Sequence, residues 1–185
     1  TVDGTNQDDA IASGAVKGEH AVVFTNTVVA DNLRYGELSV SKKLVNTTPA
    51  VPGEVFKFKI TIDLPTETVK DTLPWVDDAY LLGKITCDKD LTWTAEDGKY
   101  TAAFEVKVDE VVSIDGLVYG TTYTVEEDLT DDEQKLFSVT ATVDGSNQDD
   151  AIASGAVKGD HAVVFTNTVV ADDLHYGELS VSKKL

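Results

Sequence analysis

The chain has 185 residues, 33 of them acidic and 15 basic, for a formal charge of −18. So negative a surface repels phosphate backbones and anionic membranes, which excludes nucleic acid as a partner. No apolar run approaches the roughly 20 residues that span a bilayer, and the N-terminus lacks a basic-then-apolar leader, so no membrane insertion is expected here and export and anchoring signals are expected elsewhere.

In chain order, the first feature is a repeat. Residues 1–44 return at 142–185, a spacing of 142 − 1 = 141 residues, with only Thr5/Ser146, Glu19/Asp160, Asn32/Asp173 and Arg34/His175 differing. Near-identity at that spacing predicts a tandem array of whole domains, since solenoid units of about 20–50 residues cannot fold alone. Residues 1–36 are then the C-terminal strands of a preceding repeat, 37–177 one complete repeat, and 178–185 the first strand of the next.

Alternation with a period of two predicts strands nearly everywhere. Leu38, Val40, Lys42 and Leu44 alternate with Ser39, Ser41 and Lys43, and Phe56, Phe58, Ile60 and Ile62 with Lys57, Lys59, Thr61 and Asp63. Residues 74–82 are the one stretch expected to hold a turn or two of helix. Cys87, the single cysteine, is in phase with Ile85 and reads as a small buried hydrophobe, so disulfides do not stiffen the domain. Further alternating runs span 100–108, 121–127, 137–143 and 162–169, with turns expected at Asp97-Gly98, Asp115-Gly116 and Asp144-Gly145. Trp75, Tyr80, Trp93 and Tyr119 read as packing residues. The expected fold class is all-β: an immunoglobulin-like β-sandwich repeat in a tandem array, long enough to bury its own core.

Three inward positions carry polar groups. Lys42 interrupts the series Leu38, Val40, Leu44; Glu127 continues Tyr123, Val125; Asn167 interrupts Val163, Phe165, Val169. An isolated buried charge costs several kcal/mol or is neutralised by a shifted pKa. On the residues alone the three are a hydrogen-bonded buried cluster, a set left near the rim by a slipped register, or a group with chemistry of its own.

The segments GELSVSKKL, VFKFKITIDL, GLVYGTTYTVEED and AVVFTNT, in that order from about Glu37 to Gly177, resemble the pilin isopeptide-linkage domains of Gram-positive bacteria. This is the family of the streptococcal T-antigen-type major pilins, and collagen-adhesin B-type domains resemble the chain more distantly. The resemblance implies a spontaneous amide bond from Lys42 in VSKK to Asn167 in FTNT, assisted by Glu127 in YTVEE. Strand alternation favours Lys42 over Lys43 and Glu127 over Glu126. An apolar surround lowers the pKa of a lysine and frees its lone pair, while burial keeps a carboxyl protonated, able to polarise the Asn167 carbonyl and pass a proton to departing ammonia. Such a reaction consumes its own residues, so no turnover enzyme and no cofactor are implied. The role implied is a structural stalk or shaft repeat of a cell-surface adhesin or pilus, extracellular and wall-attached or in a fibre. The alternative is a ligand-binding adhesin module for a host protein or glycan.

The segment from Thr168 to Gly177 is short and free of proline, so neighbouring repeats are expected end to end. Asn26 and Lys183, the copies of Asn167 and Lys42, lack partners from their own repeats, which leaves overhangs or strand exchange between molecules as expectations. Asp144, Asn147, Asp149 and Asp150 offer oxygen ligands for Ca²⁺, but without EF-hand spacing, so a solvated loop and no metal are expected. His20, His161 and His175 show no metal-ligand spacing, and SGAVKG lacks the ending of a phosphate loop. LPTET at 64–68 has Glu67 where a sortase signal needs threonine.

Overall fold

The computed structural model describes residues 19, 21–23, 32–45 and 55–170. The chain divides into two compact units, Thr1–Asn32 and Leu33–Leu185. In the first, the described residues are exposed. Asn26, Lys183, His20, His175 and most of the expected flanking segments 1–36 and 178–185 lie outside the described residues.

The second unit contains the strands β1 (Tyr35–Val45), β2 (Val55–Asp63), β3 (Thr86–Cys87), β4 (Thr94–Glu96), β5 (Lys99–Lys107), β6 (Val111–Val118), β7 (Thr122–Glu127), β8 (Phe137–Val143), β9 (Ser146–Asn147), β10 (Ala153–Ala156) and β11 (His161–Val169). Short helices α1 (Thr66–Lys70), α2 (Asp78–Leu82) and α3 (Asp131–Leu136) interrupt them. One sheet has the order β3-β6-β1-β11-β8-β9 and the other β10-β7-β2-β5-β4. The fold is thus all-β, and the inward residues of the two sheets form a single core. Phe58 of β2 stands at its centre, edge-on to Phe165 at 5.0 Å and stacked on Phe104 at 5.8 Å.

The pairing that matters for the site joins the first and last strands. β1 and β11 run parallel, in register from Leu38 opposite His161 to Val45 opposite Thr168. Parallel neighbours require a long crossover, and here nearly the whole domain is the crossover. The chain therefore enters β1 at one end of the sandwich and leaves β11 at the other.

Four sequence expectations need correction. Asp115-Gly116 is not a hairpin turn but lies inside β6, where Asp115 pairs with Thr86. Gly116 has φ +77°, and a Cβ there would sit 2.0 Å from the Lys84 carbonyl oxygen, so the glycine serves a close backbone approach rather than a reversal. The expected helix at 74–82 narrows to α2, capped by Asp77, whose carboxylate accepts the Tyr80 N–H at 2.8 Å. α1 and α3 were not anticipated, although α3 carries a readable signal: Thr130 and Glu133 form a reciprocal capping box. Trp75 is not a core residue, since 45% of it is exposed while its ring stands edge-on to Tyr80 at 5.0 Å.

α1 and α2 cover the end where β1 begins. Val69, Val76 and Leu81 form a small second core with Val118 of β6. Asp78 ties the helices to β5 by accepting the Thr66 and Tyr100 hydroxyls.

Candidate functional site

The period of two that aims Leu38 and Val40 inward carries Lys42 to the same face. On the neighbouring parallel strand Phe165 is the register partner of Lys42, and Asn167, opposite Leu44, is one inward step further. The two side chains are diagonal neighbours on one face, within reach for long side chains. Glu127 comes from the other sheet, at the end of β7 opposite Phe58 of β2, and projects across the core toward both.

Lys42 Nζ donates to Glu127 Oε2 at 2.7 Å, and Asn167 Nδ2 donates to Glu127 Oε1 at 2.9 Å. Lys42 and Asn167 are fully closed to solvent, and the Glu127 side chain is 2% exposed. A register slip that leaves these groups at the rim is therefore excluded. The residues beside them in the doubled motifs point outward: Lys43 is exposed, and Glu126 pairs with Lys59 on the outer face. Lys42 Nζ also lies 4.4 Å from the centre of the Phe56 ring, which accepts the cation on its face. Phe56 was legible only as a core residue; its place under the amine depends on how β2 crosses β1.

Burial drives the two ionisable groups toward neutrality. It lowers Lys42 from the ordinary 10.5 to about 8, against the hydrogen bond and charge of Glu127. It raises Glu127 above the ordinary carboxylate range, opposed by Lys42 and then Asn167. Moving a proton from Nζ to Oε2 thus turns a costly buried ion pair into an amine and an acid already in contact. Asn167 Oδ1 has no hydrogen-bond partner. The contact between Glu127 and the Asn167 carboxamide is made through the amide nitrogen, not through the carbonyl oxygen.

The other candidates stand apart. Asp144 is engaged by His161 Nδ1 at 2.7 Å and the Ala162 N–H at 2.8 Å, and among the described residues no group of three or more His, Cys, Asp or Glu side chains converges as a metal site. His161 is mostly buried against Asp144 rather than lying free on the surface. Cys87 is half-buried at the core edge. Part of SGAVKG is the edge strand β10. A groove of about 710 Å³ runs over the outer face of the second sheet, between Lys57, Lys59, Thr94, Glu96 and Glu105, away from the trio. No helix among the described residues is long and apolar enough to cross a membrane.

Fold and site together define a β-sandwich domain with a lysine, an acid and a carboxamide sealed between its sheets. Residues 36–169 match the family described as Domain of unknown function (DUF7601), and the chain belongs to that family. No curated protein matches it. Among solved structures it resembles a pilus-presented adhesin, Cpa, at 23% identity and TM-score 0.49, over 73% of this chain and 27% of that one. It also resembles the major pilin T-13 of Streptococcus pyogenes, at 14% identity and TM-score 0.45, over 74% of this chain and 46% of that one. A third similar structure is a Mobiluncus mulieris adhesin containing intramolecular disulfide, isopeptide and ester bond cross-links, at 16% identity and TM-score 0.45, over 74% and 42% of the two chains. The chain spans about a quarter of the first adhesin's length and less than half of the other two.

Proposed function

We propose that this chain is a structural stalk repeat of a bacterial cell-surface adhesin or pilus, braced by a spontaneous amide bond between Lys42 and Asn167. The observation that supports it is Glu127, which bridges the amine of the first strand and the carboxamide of the last inside a closed core. Glu127 takes one proton from the Lys42 ammonium at Oε2. The freed amine attacks Asn167 Cγ; as the new C–N bond forms, the bond from Cγ to Nδ2 breaks. Glu127, whose Oε1 already touches Nδ2, delivers protons from the attacking nitrogen to the departing one. In total, one ammonium and one carboxamide become an amide and NH₄⁺. The fold supplies the proximity, with effective molarities on the order of 10⁵ M or more. The three side chains are closed to solvent and the reaction spends its own residues, so it is a single self-processing event rather than enzymatic turnover.

The bond would enclose 167 − 42 = 125 residues. By analogy with a disulfide closing a loop of about 100 residues, it would stabilise the domain by about 4–5 kcal/mol. Because β1 and β11 are parallel neighbours, tension entering at Tyr35 would cross to β11 and leave beyond Val169 without peeling the strands between. Repeats linked end to end would form an inextensible shaft outside the cell.

Intact-protein mass spectrometry tests the reading. One amide formed with loss of ammonia lowers the mass by about 17 Da, and the deficit should vanish in Lys42→Ala and Asn167→Ala. A folded wild type of unmodified mass would overturn it.

Exposed Trp75, edge-on to the half-buried Tyr80 whose ring centre lies 4.6 Å from Lys84 Nζ, favours a second reading as a ligand-binding adhesin module. An aromatic edge of this kind suits a sugar face or a peptide side chain. Binding to glycans or host matrix proteins that is lost in Trp75→Ala would establish it, and failure across a broad screen would leave the stalk.

A further inference from the structure

Glu127 satisfies only part of the Lys42 ammonium. The group has three N–H bonds, and among the described residues its one hydrogen-bond partner is Glu127 Oε2, at 2.7 Å. What faces the remainder is a ring: Nζ stands 4.4 Å from the centre of Phe56, over its face. Phe56 is 3% exposed, and Phe137 of β8 packs edge-to-face against it at 5.7 Å and 67°, so packing fixes its tilt. The other rings beside the trio, Phe58 and Phe165, are turned on each other at 5.0 Å.

The proposed reaction asks of that seat something that proximity alone does not supply. The proton that leaves Nζ travels along the hydrogen bond to Oε2, so the lone pair it leaves behind points at Oε2. Attack needs the same pair on Asn167 Cγ, and Asn167 lies diagonally on β11 with its own nitrogen on the other carboxylate oxygen. The amine must therefore turn about its Cε–Nζ bond between losing the proton and forming the new bond. A second oxygen acceptor would fix one N–H, resist the turn and favour the ammonium. An aliphatic side chain would leave the free N–H bonds with nothing. A ring face attracts N–H from any direction above it, and weakly enough to let the amine rotate.

We propose that Phe56 is a positioning residue of the cross-linking reaction: its face holds the Lys42 nitrogen through whichever N–H bonds Glu127 leaves free, and lets the lone pair swing from Oε2 to Asn167 Cγ. The inference rests on the proposed cross-link. Among the described residues Glu127 is the charged group that acts on Lys42, and Glu133 of α3 acts on Glu127 in turn. A change confined to the ring leaves both in place.

Pentafluorophenylalanine at position 56 keeps the shape of the ring and reverses the sign of its face, so that the face repels N–H and draws the lone pair. Loss of about 17 Da in refolded protein, followed over time across a range of pH, reads the effect. The highest rate should fall about 10-fold, and the whole profile should move to lower pH by about 1 unit, because the ammonium has lost its support. Phe56→Leu, which has no face, should move the profile the same way by less. In the Asn167→Ala background, where no bond can form, NMR titration of Lys42 should show the same downward shift on fluorination. A fluorinated protein that cross-links at the wild-type rate would overturn the proposal, and so would a slower one with an unmoved profile, which marks a packing role alone. A wild type that never loses the mass would instead defeat the parent reading, and this one with it.

Discussion

Lys42 Nζ and Glu127 Oε2 lie 2.7 Å apart, on strands of opposite sheets, with both side chains closed to water. Neither group is comfortable there as an ion, and each is the other's nearest means of becoming neutral. Asn167 Nδ2 donates to the second carboxylate oxygen, so the one acid joins the amine of the first strand to the carboxamide of the last.

Glu127→Gln keeps the shape of the bridge and removes its capacity to carry a proton. Cross-linking of refolded protein, followed by intact mass over time, should slow by at least about 100-fold, the low end of general acid–base contributions. A rate near wild type would mean that Glu127 only positions its partners.

The cross-linking rate should follow pH in a bell. At acid pH both groups hold protons and the amine stays an ammonium. Well above about 8 the Lys42 amine no longer holds a proton and the pair loses the one that ammonia must carry away, so the rate should fall again there. A rate still rising from pH 8 to 10 would contradict the shuttle.

The same shifts predict how stability responds to pH once the bond is prevented. In Asn167→Ala, Lys42 remains a buried base whose folded pKa of about 8 lies below the ordinary 10.5. Between these values the unfolded chain binds more protons, so stability should rise with pH through that window, and below it the cost is fully present. Under the proposed cross-link Lys42 of the wild type would be a non-titrating amide, and this slope should be missing. Denaturant melts of both proteins at pH 7.5 and 10 would compare them, and parallel changes would argue against a buried amine.

Two glycines with the same φ of +77° make a controlled test of the β6 irregularity. Gly98→Ala meets no atom within 4 Å, so only the left-handed backbone is penalised, by about 1 kcal/mol. Gly116→Ala must also displace the Lys84 carbonyl, and its Tm should fall distinctly further. Equal losses would show that the backbone at Lys84 yields freely.

Phe58→Ala should cost about 3–5 kcal/mol, because it empties the centre of the aromatic cluster against Phe165 and Phe104. If the proposed reaction occurs, the substitution should also slow it by admitting water beside Glu127, the register partner of Phe58. Thermal unfolding and the mass time course would report the two effects separately.

Much of this was already written in the order of residues. A period of two is a local property, so the alternation that puts Leu38, Phe58 and Phe165 inside also shows that Lys42, Glu127 and Asn167 interrupt inward series. Repetition of 35–44 at 176–185 is equally visible without coordinates. Which strands adjoin is a different kind of fact, because pairing depends on the closing of long loops and the matching of distant faces. Only the folded chain decided that β1 lies parallel to β11, that Glu127 reaches over from the opposing sheet to the Asn167 nitrogen, and that Asp115-Gly116 continues a strand under Lys84 instead of turning. Alternation assigns a side chain to a face, and only the packing of two sheets chooses what it meets there.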